Sequence, residues 1–241
     1  MNKRLLLNIV KNKLNMSEDS TIVEVLLALL KRDSRYIQFV QEIVFKDLIG
    51  NSEIDLGNIL NSEEEKREIL LNICAFNCYF LLSLESIEHY YIKDEKFLLD
   101  ILLKSKSISG TATNQFKLFP KEFKDDPNFL AKSIKIDEAI AFLGENVKFY
   151  DKPVVKNAIN DDSDNLSYWI LKLLLKEERN KAKIKKLKNA QKSATSDEEQ
   201  EYYSKILEGC YYDSLIYRKQ CEFIKSFPNF KICTNYPKRI V

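Results

Sequence analysis

The chain has 241 residues, of which 45% are apolar and 31% are charged, and its formal net charge is only +2. That length allows one large or two small domains with a buried core, and the balanced charge excludes a global attraction to nucleic acid or acidic partners. Glycine and proline number five each. Because strand-rich folds need many tight turns, the sequence predicts an all-α fold of stacked helix pairs.

The N-terminal part has the periodicity of amphipathic helices. It predicts helices over 2–15, along an apolar stripe from Ile22 to Leu30, and over 34–48, with Gly50 ending the third. Residues 51–61 are predicted to form a loop with a short turn. The first apolar run is too short for a secretory signal.

A capping box at Ser62–Glu65 is predicted to open the next helix, which should run to about Ser86. This segment contains the longest uncharged run, sixteen residues from Ile69 to Leu84. A membrane-spanning helix needs about 20 mainly apolar residues. We therefore expect a helix surrounded by other helices, with Cys74 and Cys78 on one packing stripe.

Three segments share a pattern in which an Asp precedes two apolar residues at positions +3 and +4. They begin at Asp94, Asp126 and Asp151. An Asp at this position accepts hydrogen bonds from the first turn of a helix, and proline fits that turn well. The pattern predicts three helix starts, with a loop over 105–119 after the first and a short helix over 136–143 that Gly144 ends.

The stretches IEHYYIKDEKFLLDIL, FPKEFKDDPNFLAKSI and AFLGENVKFYDKPVVKNAI carry a family resemblance. Within residues 85–160 they resemble a short bacterial helical repeat of unknown function. That repeat occurs in multiple copies, including in secreted effectors of intracellular bacteria. The resemblance implies stacked helices and an effector-like or interaction role, and it implies no chemistry.

Residues 165–226 carry two apolar stripes with alternating steps of four and three. The first stripe runs from Leu166 to Gln191 and the second from Tyr203 to Ile224. Two such stripes around a short break predict a long antiparallel helical hairpin. Ala194–Thr195 is the predicted turn, and Ser196 with Glu199 is a capping box for the return arm. We predict three parts: a helical body over 1–164, the hairpin over 165–226 and a C-terminal strap over 227–241.

The first arm of the hairpin is basic. Residues 172–192 contain nine Lys or Arg and two Glu, and acidic residues at 197–201 follow on the return arm. One interpretation is a solvated face with ion pairs between the arms. Others are a surface that binds phosphates or acidic lipids and a seam for a partner helix. The candidate basic contacts are Lys181, Lys183, Lys185, Lys186 and Lys188.

Tyrosine is the second candidate for a binding surface, because it buries much area at low entropic cost. The chain has twelve tyrosines. Those near the hairpin are our candidates for partner contacts: Tyr202, Tyr203, Tyr211 and Tyr212.

Residues for catalysis are scarce. His89 is the only histidine, which excludes sites that need two, and we interpret it as a histidine near the C-terminus of its helix. The sequence lacks the common glycine-rich phosphate loops. The five cysteines form no C-x-x-C pair, which favours free thiols in a reducing compartment over disulfides or zinc. We expect no catalytic residue, no metal and no cofactor.

The first functional hypothesis is a non-enzymatic module that binds a protein partner, as an effector, inhibitor or adaptor of bacterial or phage origin. It would act in the bacterial cytoplasm or in the cytoplasm of a host cell. The alternative is a protein that binds nucleic acid or an anionic surface through the basic arm. An enzyme with an unrecognised helical site is the third.

Overall fold

The computed structural model describes residues 36–49, 63–161 and 163–231, together with residues 11, 15–17, 20, 24–26, 28 and 29. Throughout these residues every regular element is an α-helix or a 3₁₀ helix, so the all-α fold is confirmed. Contacts divide the chain into two compact units, Met1–Asp137 and Glu138–Val241. Residues 138–164, which we assigned to the body, belong to the same unit as the hairpin.

From residue 36 onward, the described part of the first unit consists of α-helices and a 3₁₀ helix at Tyr90–Lys93. The α-helices are α1 (Tyr36–Leu48), α2 (Glu63–Phe76), α3 (Phe80–Ser86), α4 (Glu95–Ser109), α5 (Thr113–Lys117), α6 (Lys121–Lys124) and α7 (Pro127–Ile136). Helix α4 lies at its centre and packs on α2 and α7. Its residues Phe97, Leu98, Ile101 and Leu102 are fully buried.

The second unit joins two 3₁₀ helices, Glu138–Phe142 and Gly144–Phe149, to three α-helices. These are α8 (Pro153–Lys156), α9 (Ser163–Ser193) and α10 (Asp197–Lys225). The predicted helix over 136–143 is thus a 3₁₀ helix. Gly144 was predicted to end this helix, but it is the first residue of the next 3₁₀ helix.

The single helix predicted over 62–86 is wrong, because the chain breaks between α2 and α3. The side chain of Asn77 accepts a hydrogen bond from the backbone N–H of Tyr79 at 3.1 Å, and its carbonyl accepts one from Phe80 at 3.1 Å. An Asn side chain that satisfies nearby backbone in this way competes with the helix. Cys78 lies in this break, so it does not continue the stripe of Cys74.

Two of the three predicted Asp caps are confirmed. The carboxylate of Asp94 accepts from Lys96 N at 2.9 Å, and that of Asp126 accepts from Asn128 N at 2.8 Å, with proline in the first turn of α7. The third is wrong. Lys152 precedes α8 without a side-chain cap, and the carboxylate of Asp151 lies 3.3 Å from the Lys152 ammonium instead.

The loop predicted over 105–119 is largely helical. Ser107 and Ser109 donate their hydroxyl protons back to the carbonyls of Lys104 and Ser105, at 2.7 and 3.0 Å, so these serines are accommodated within α4. The helix ends only at Gly110, whose φ of 74° is left-handed, a conformation that glycine adopts without steric cost.

In the N-terminal region, the stripe and the helix over 34–48 are confirmed where they are described. Residues 24–26, 28 and 29 are helical, with Val25, Leu26 and Leu29 buried. The predictions that lie outside the described residues are the helix over 2–15 apart from a few positions, Gly50, the loop over 51–61, the Ser62 cap, Cys233 and the strap beyond residue 231.

Candidate functional site

The hairpin of α9 and α10 carries most of our candidate residues, and its geometry agrees with the predicted heptad pattern. The arms contain 31 and 29 residues, which corresponds to about 45 Å of helix each. Every residue of the two predicted stripes is buried or half-buried. The hydroxyl of Ser196 accepts from Glu199 N at 3.2 Å, while the Glu199 carboxylate accepts from Thr195 N at 3.1 Å.

The base of the hairpin is fixed by a carboxylate that sequence reasoning missed. Glu138 accepts from the indole N–H of Trp169 at 2.8 Å and from the side chain of Asn165 at 3.0 Å. The ring of Trp169 also packs on Phe142, with centroids 4.6 Å apart. No local pattern marks Glu138, because its partners Asn160, Asn165 and Trp169 lie 22, 27 and 31 residues away in the chain.

Polar residues inside the seam pair with each other across the two arms. The side-chain amide of Asn180 donates to the carbonyl of Cys210 at 2.6 Å and to the hydroxyl of Ser214 at 3.0 Å. Asn180 is only 6% exposed. A single buried Asn at such a position fixes the register of a helix pair, because any slip leaves its amide without partners.

We expect Asn180→Ala to lower the free energy of unfolding by about 1–2 kcal/mol through the loss of these hydrogen bonds. The measurement is urea unfolding followed by the fluorescence of Trp169, which is the only tryptophan. A double-mutant cycle with Ser214→Ala isolates the direct bond. Additive losses in that cycle would contradict a stabilising Asn180–Ser214 contact.

The distal part of the hairpin carries the candidate lysines. Lys181, Lys183, Lys185, Lys186 and Lys188 are all exposed. Lys181 forms ion pairs with Glu178 at 2.8 Å and with Glu177 at 3.4 Å, both in its own arm. The ion pairs of Lys181 therefore lie within the first arm, and the interpretation of paired arms stays a prediction.

The return arm exposes three large apolar or aromatic side chains close together. Tyr211, Tyr212 and Leu215 are 47%, 64% and 47% exposed. With Lys205, Glu208 and Gly209 they line a shallow groove along α10, and we call these six residues the α10 groove. Tyr202 is also exposed, whereas the candidate Tyr203 is half-buried in the seam.

His89 is not in a helix, contrary to the sequence interpretation. It precedes the 3₁₀ helix at Tyr90–Lys93, and its Nδ1 accepts from Tyr91 N at 3.4 Å. The preceding residue, Glu88, has a left-handed φ of 48°, which turns the chain here. Burial lowers the pKa of His89 below its ordinary value, so the ring is neutral at pH 7.

Burial disfavours the reactive thiolate at three of the cysteines that the structure describes. Cys74, Cys78, Cys210 and Cys221 are free thiols. Burial raises the pKa of Cys74, Cys78 and Cys221, which lowers the thiolate fraction that reacts. Within the described ranges, no cluster of three or more His, Cys, Asp or Glu is arranged to hold a metal ion.

Comparison with known proteins found no matching family model, no matching curated protein and no matching solved structure. The resemblance to a bacterial helical repeat therefore stays a prediction, as does the effector-like role that it implies. In the part of the chain that the structure describes, no helix is both long and apolar enough to cross a bilayer.

Proposed function

We propose that this chain is a non-enzymatic interaction module that binds a helix of a partner protein in the α10 groove. The observation that carries the proposal is the grouping of Tyr211, Tyr212 and Leu215, each about half exposed or more, on one long helix. Clustered aromatic and apolar side chains at the centre of a surface are the usual anchors of protein interfaces. Scattered single apolar residues would carry no such meaning.

Gly209 supports the same surface. Glycine inside a helix costs about 1 kcal/mol relative to alanine, and packing within this chain does not require it, since a Cβ at Gly209 would meet no atom within 4 Å. The missing side chain leaves the helix backbone uncovered between Lys205 and Tyr212. A partner backbone could approach closely at that point, as it does where small residues line helix contacts.

A helix fits this groove better than an extended strand. Glu208, Tyr212 and Leu215 are spaced i, i+4 and i+7, so they form a ridge along α10 beside the notch at Gly209. Side-chain ridges of one helix pack into such grooves of another. The groove spans residues 205–215, about 15 Å or three turns, which a short amphipathic helix would cover.

The charges at the groove indicate the polarity of the partner. The Lys205 ammonium is 2.7 Å from the Glu201 carboxylate, so that cation is already paired. Glu208 is exposed and has no ion pair with any described residue. We therefore propose a partner helix with an apolar row and a Lys or Arg positioned to meet Glu208.

The test begins with a photo-crosslinking residue in place of Tyr212, and in place of Tyr79 as a matched control. Tyr79 is 68% exposed but lies in the first unit. A partner crosslinked only from position 212 is then purified, and its Kd is measured with Tyr212→Ala, Leu215→Ala and Tyr79→Ala. We expect the first two substitutions to weaken binding about tenfold or more, as truncated anchors do. Unchanged affinity of the Tyr212→Ala variant would refute the proposal that the partner binds in the α10 groove.

Gly209→Ala gives an independent prediction in which stability and binding move in opposite directions. The added methyl group has free space, so better helix propensity should raise the free energy of unfolding by about 0.5–1 kcal/mol. The same methyl group fills the notch and should weaken partner binding. Thermal melts and the affinity for the crosslinked partner check both halves. A variant that binds as tightly as the original chain would show that the notch is not used.

A further inference from the structure

Helix α9 carries a second surface, distinct from the α10 groove. Five basic side chains follow the spacing i, i+4, i+7, i+11 and i+14, which places them on one face of the helix. We call them the basic row: Lys172, Lys176, Arg179, Lys183 and Lys186. All five are exposed, and the row extends over about 21 Å of helix.

The two glutamates of the same stretch are paired with a lysine outside this row. Glu177 and Glu178 form ion pairs with Lys181, which lies on the opposite flank of α9 with Lys185, Lys188 and Lys192. That opposite flank follows the spacing i, i+4, i+7 and i+11. The basic row therefore contains five cations and no acidic residue of α9.

Two of the acidic residues at the start of the return arm have partners nearby in the chain. The Glu201 carboxylate pairs with Lys205 at 2.7 Å, and the Glu199 carboxylate accepts from the Thr195 backbone at 3.1 Å. Arg179, Lys183 and Lys186 have no ion pair with any residue that the structure describes. Like charges at i and i+4, as at Arg179 and Lys183, destabilise a helix slightly, so a bound polyanion would relieve the repulsion between these two side chains.

The shape of the row indicates the ligand. The five side chains lie along an exposed helix face. Each step of three or four residues advances about 5 Å along the helix, which suits a linear polymer with regularly repeated negative charges. Lys and Arg that contact successive phosphates provide sequence-independent affinity for nucleic acids.

We infer that the basic row binds the phosphate backbone of a nucleic acid without reading its sequence. This inference concerns other residues than the proposed function and does not depend on it. Its failure would leave the α10 groove intact as a protein-binding surface, and the reverse also holds.

The test is fluorescence anisotropy with a labelled 20-nucleotide RNA and a labelled 20-base-pair DNA. We expect binding at 50 mM salt that weakens roughly 10²–10³-fold by 200 mM, as about five phosphate contacts require. The two probes distinguish a single strand from a duplex, and either would satisfy the inference. A Kd above about 10⁻⁴ M at 50 mM salt for both, weaker than ordinary non-specific binding, would overturn it.

Two triple variants separate the row from net charge. Arg179→Glu/Lys183→Glu/Lys186→Glu reverses the row, and Lys185→Glu/Lys188→Glu/Lys192→Glu makes the same change in charge on the opposite flank. We expect a loss of at least 30-fold in the first and of less than fivefold in the second, with unchanged far-UV circular dichroism in both. Equal losses of affinity in the two variants would overturn the inference that the basic row is the binding surface. Binding to vesicles with 30% phosphatidylserine but to neither nucleic acid would also overturn the inference.

Discussion

Phe129→Ala is expected to lower the free energy of unfolding by about 3–5 kcal/mol, the usual cost of truncating a fully buried phenylalanine. Phe129 is 1% exposed, and three other rings surround it. The centroids of Phe123, Phe119 and Phe116 lie 5.1, 6.0 and 6.4 Å from its own. Removing this ring leaves a cavity that rigid neighbours can close only in part.

Urea unfolding followed by far-UV circular dichroism measures this loss. Phe123→Ala is the matched control, because Phe123 belongs to the same cluster but is only half-buried. We expect its cost to be about half as large, since less apolar surface is lost. Equal costs for the two variants would mean that Phe129 is not the centre of the cluster.

Asp137→Asn should destabilise the first unit by about 2–4 kcal/mol at pH 7, because it removes a buried charge from its partners. Asp137 is 2% exposed. Its carboxylate accepts from the backbone of Ala112 at 2.7 Å, from Lys106 at 2.9 Å and from the hydroxyl of Thr111 at 3.1 Å. An asparagine side chain offers one oxygen instead of two, and its amide group would face donors.

The same carboxylate makes stability depend on pH. Burial alone would raise the pKa of Asp137, but the Ala112 N–H and the Lys106 ammonium outweigh it, and the pKa is lowered below its ordinary value. The stabilisation by the Asp137 charge is therefore complete above about pH 3.9, the pKa of Asp in the unfolded chain. It disappears as the pH falls through the lower pKa that Asp137 has in the folded protein. We expect the difference in unfolding free energy between the original chain and Asp137→Asn to shrink below about pH 4.

A comparison at pH 7 and at pH 3 checks this expectation. Glu95→Gln is a suitable control, because Glu95 pairs with Lys132 at 2.5 Å but both side chains are exposed. Exposed pairs of this kind contribute little to stability. A difference for Asp137→Asn that stays constant with pH would show that the lost stability comes from packing and not from the charge.

The two proposed surfaces differ in how far the sequence could locate them. The basic residues of 172–192 are visible as composition, and their helical spacing places five of them in one row. The sequence did not reveal that Glu177 and Glu178 both form ion pairs with Lys181, because basic residues of either arm could have been their partners. The set of tyrosine candidates was too large, because the sequence did not show which of them face the seam. Tyr203 faces the seam, whereas Tyr212 faces solvent.

By itself the sequence determined the helical class, the hairpin and the caps at Asp94, Asp126 and Ser196. These features depend on interactions within about four residues along the chain or on a repeat sustained over many turns, so a single sequence contains them. The break at Asn77 and the continuation of α4 through its serines went against expectation. In both places, Asn or Ser side chains can hydrogen-bond to the nearby backbone either within a helix or at a break in one, so the local sequence does not decide between the two.

Only the tertiary structure decided where the buried carboxylates lie and what they bind. Asp137 meets Lys106 across 31 residues of chain, and Glu138 meets Trp169 across the same separation. It also decided which hairpin residues remain exposed, and hence which surfaces are available to a partner. Such pairings depend on how helices approach one another, because a charge can satisfy any opposite charge that packing brings within reach.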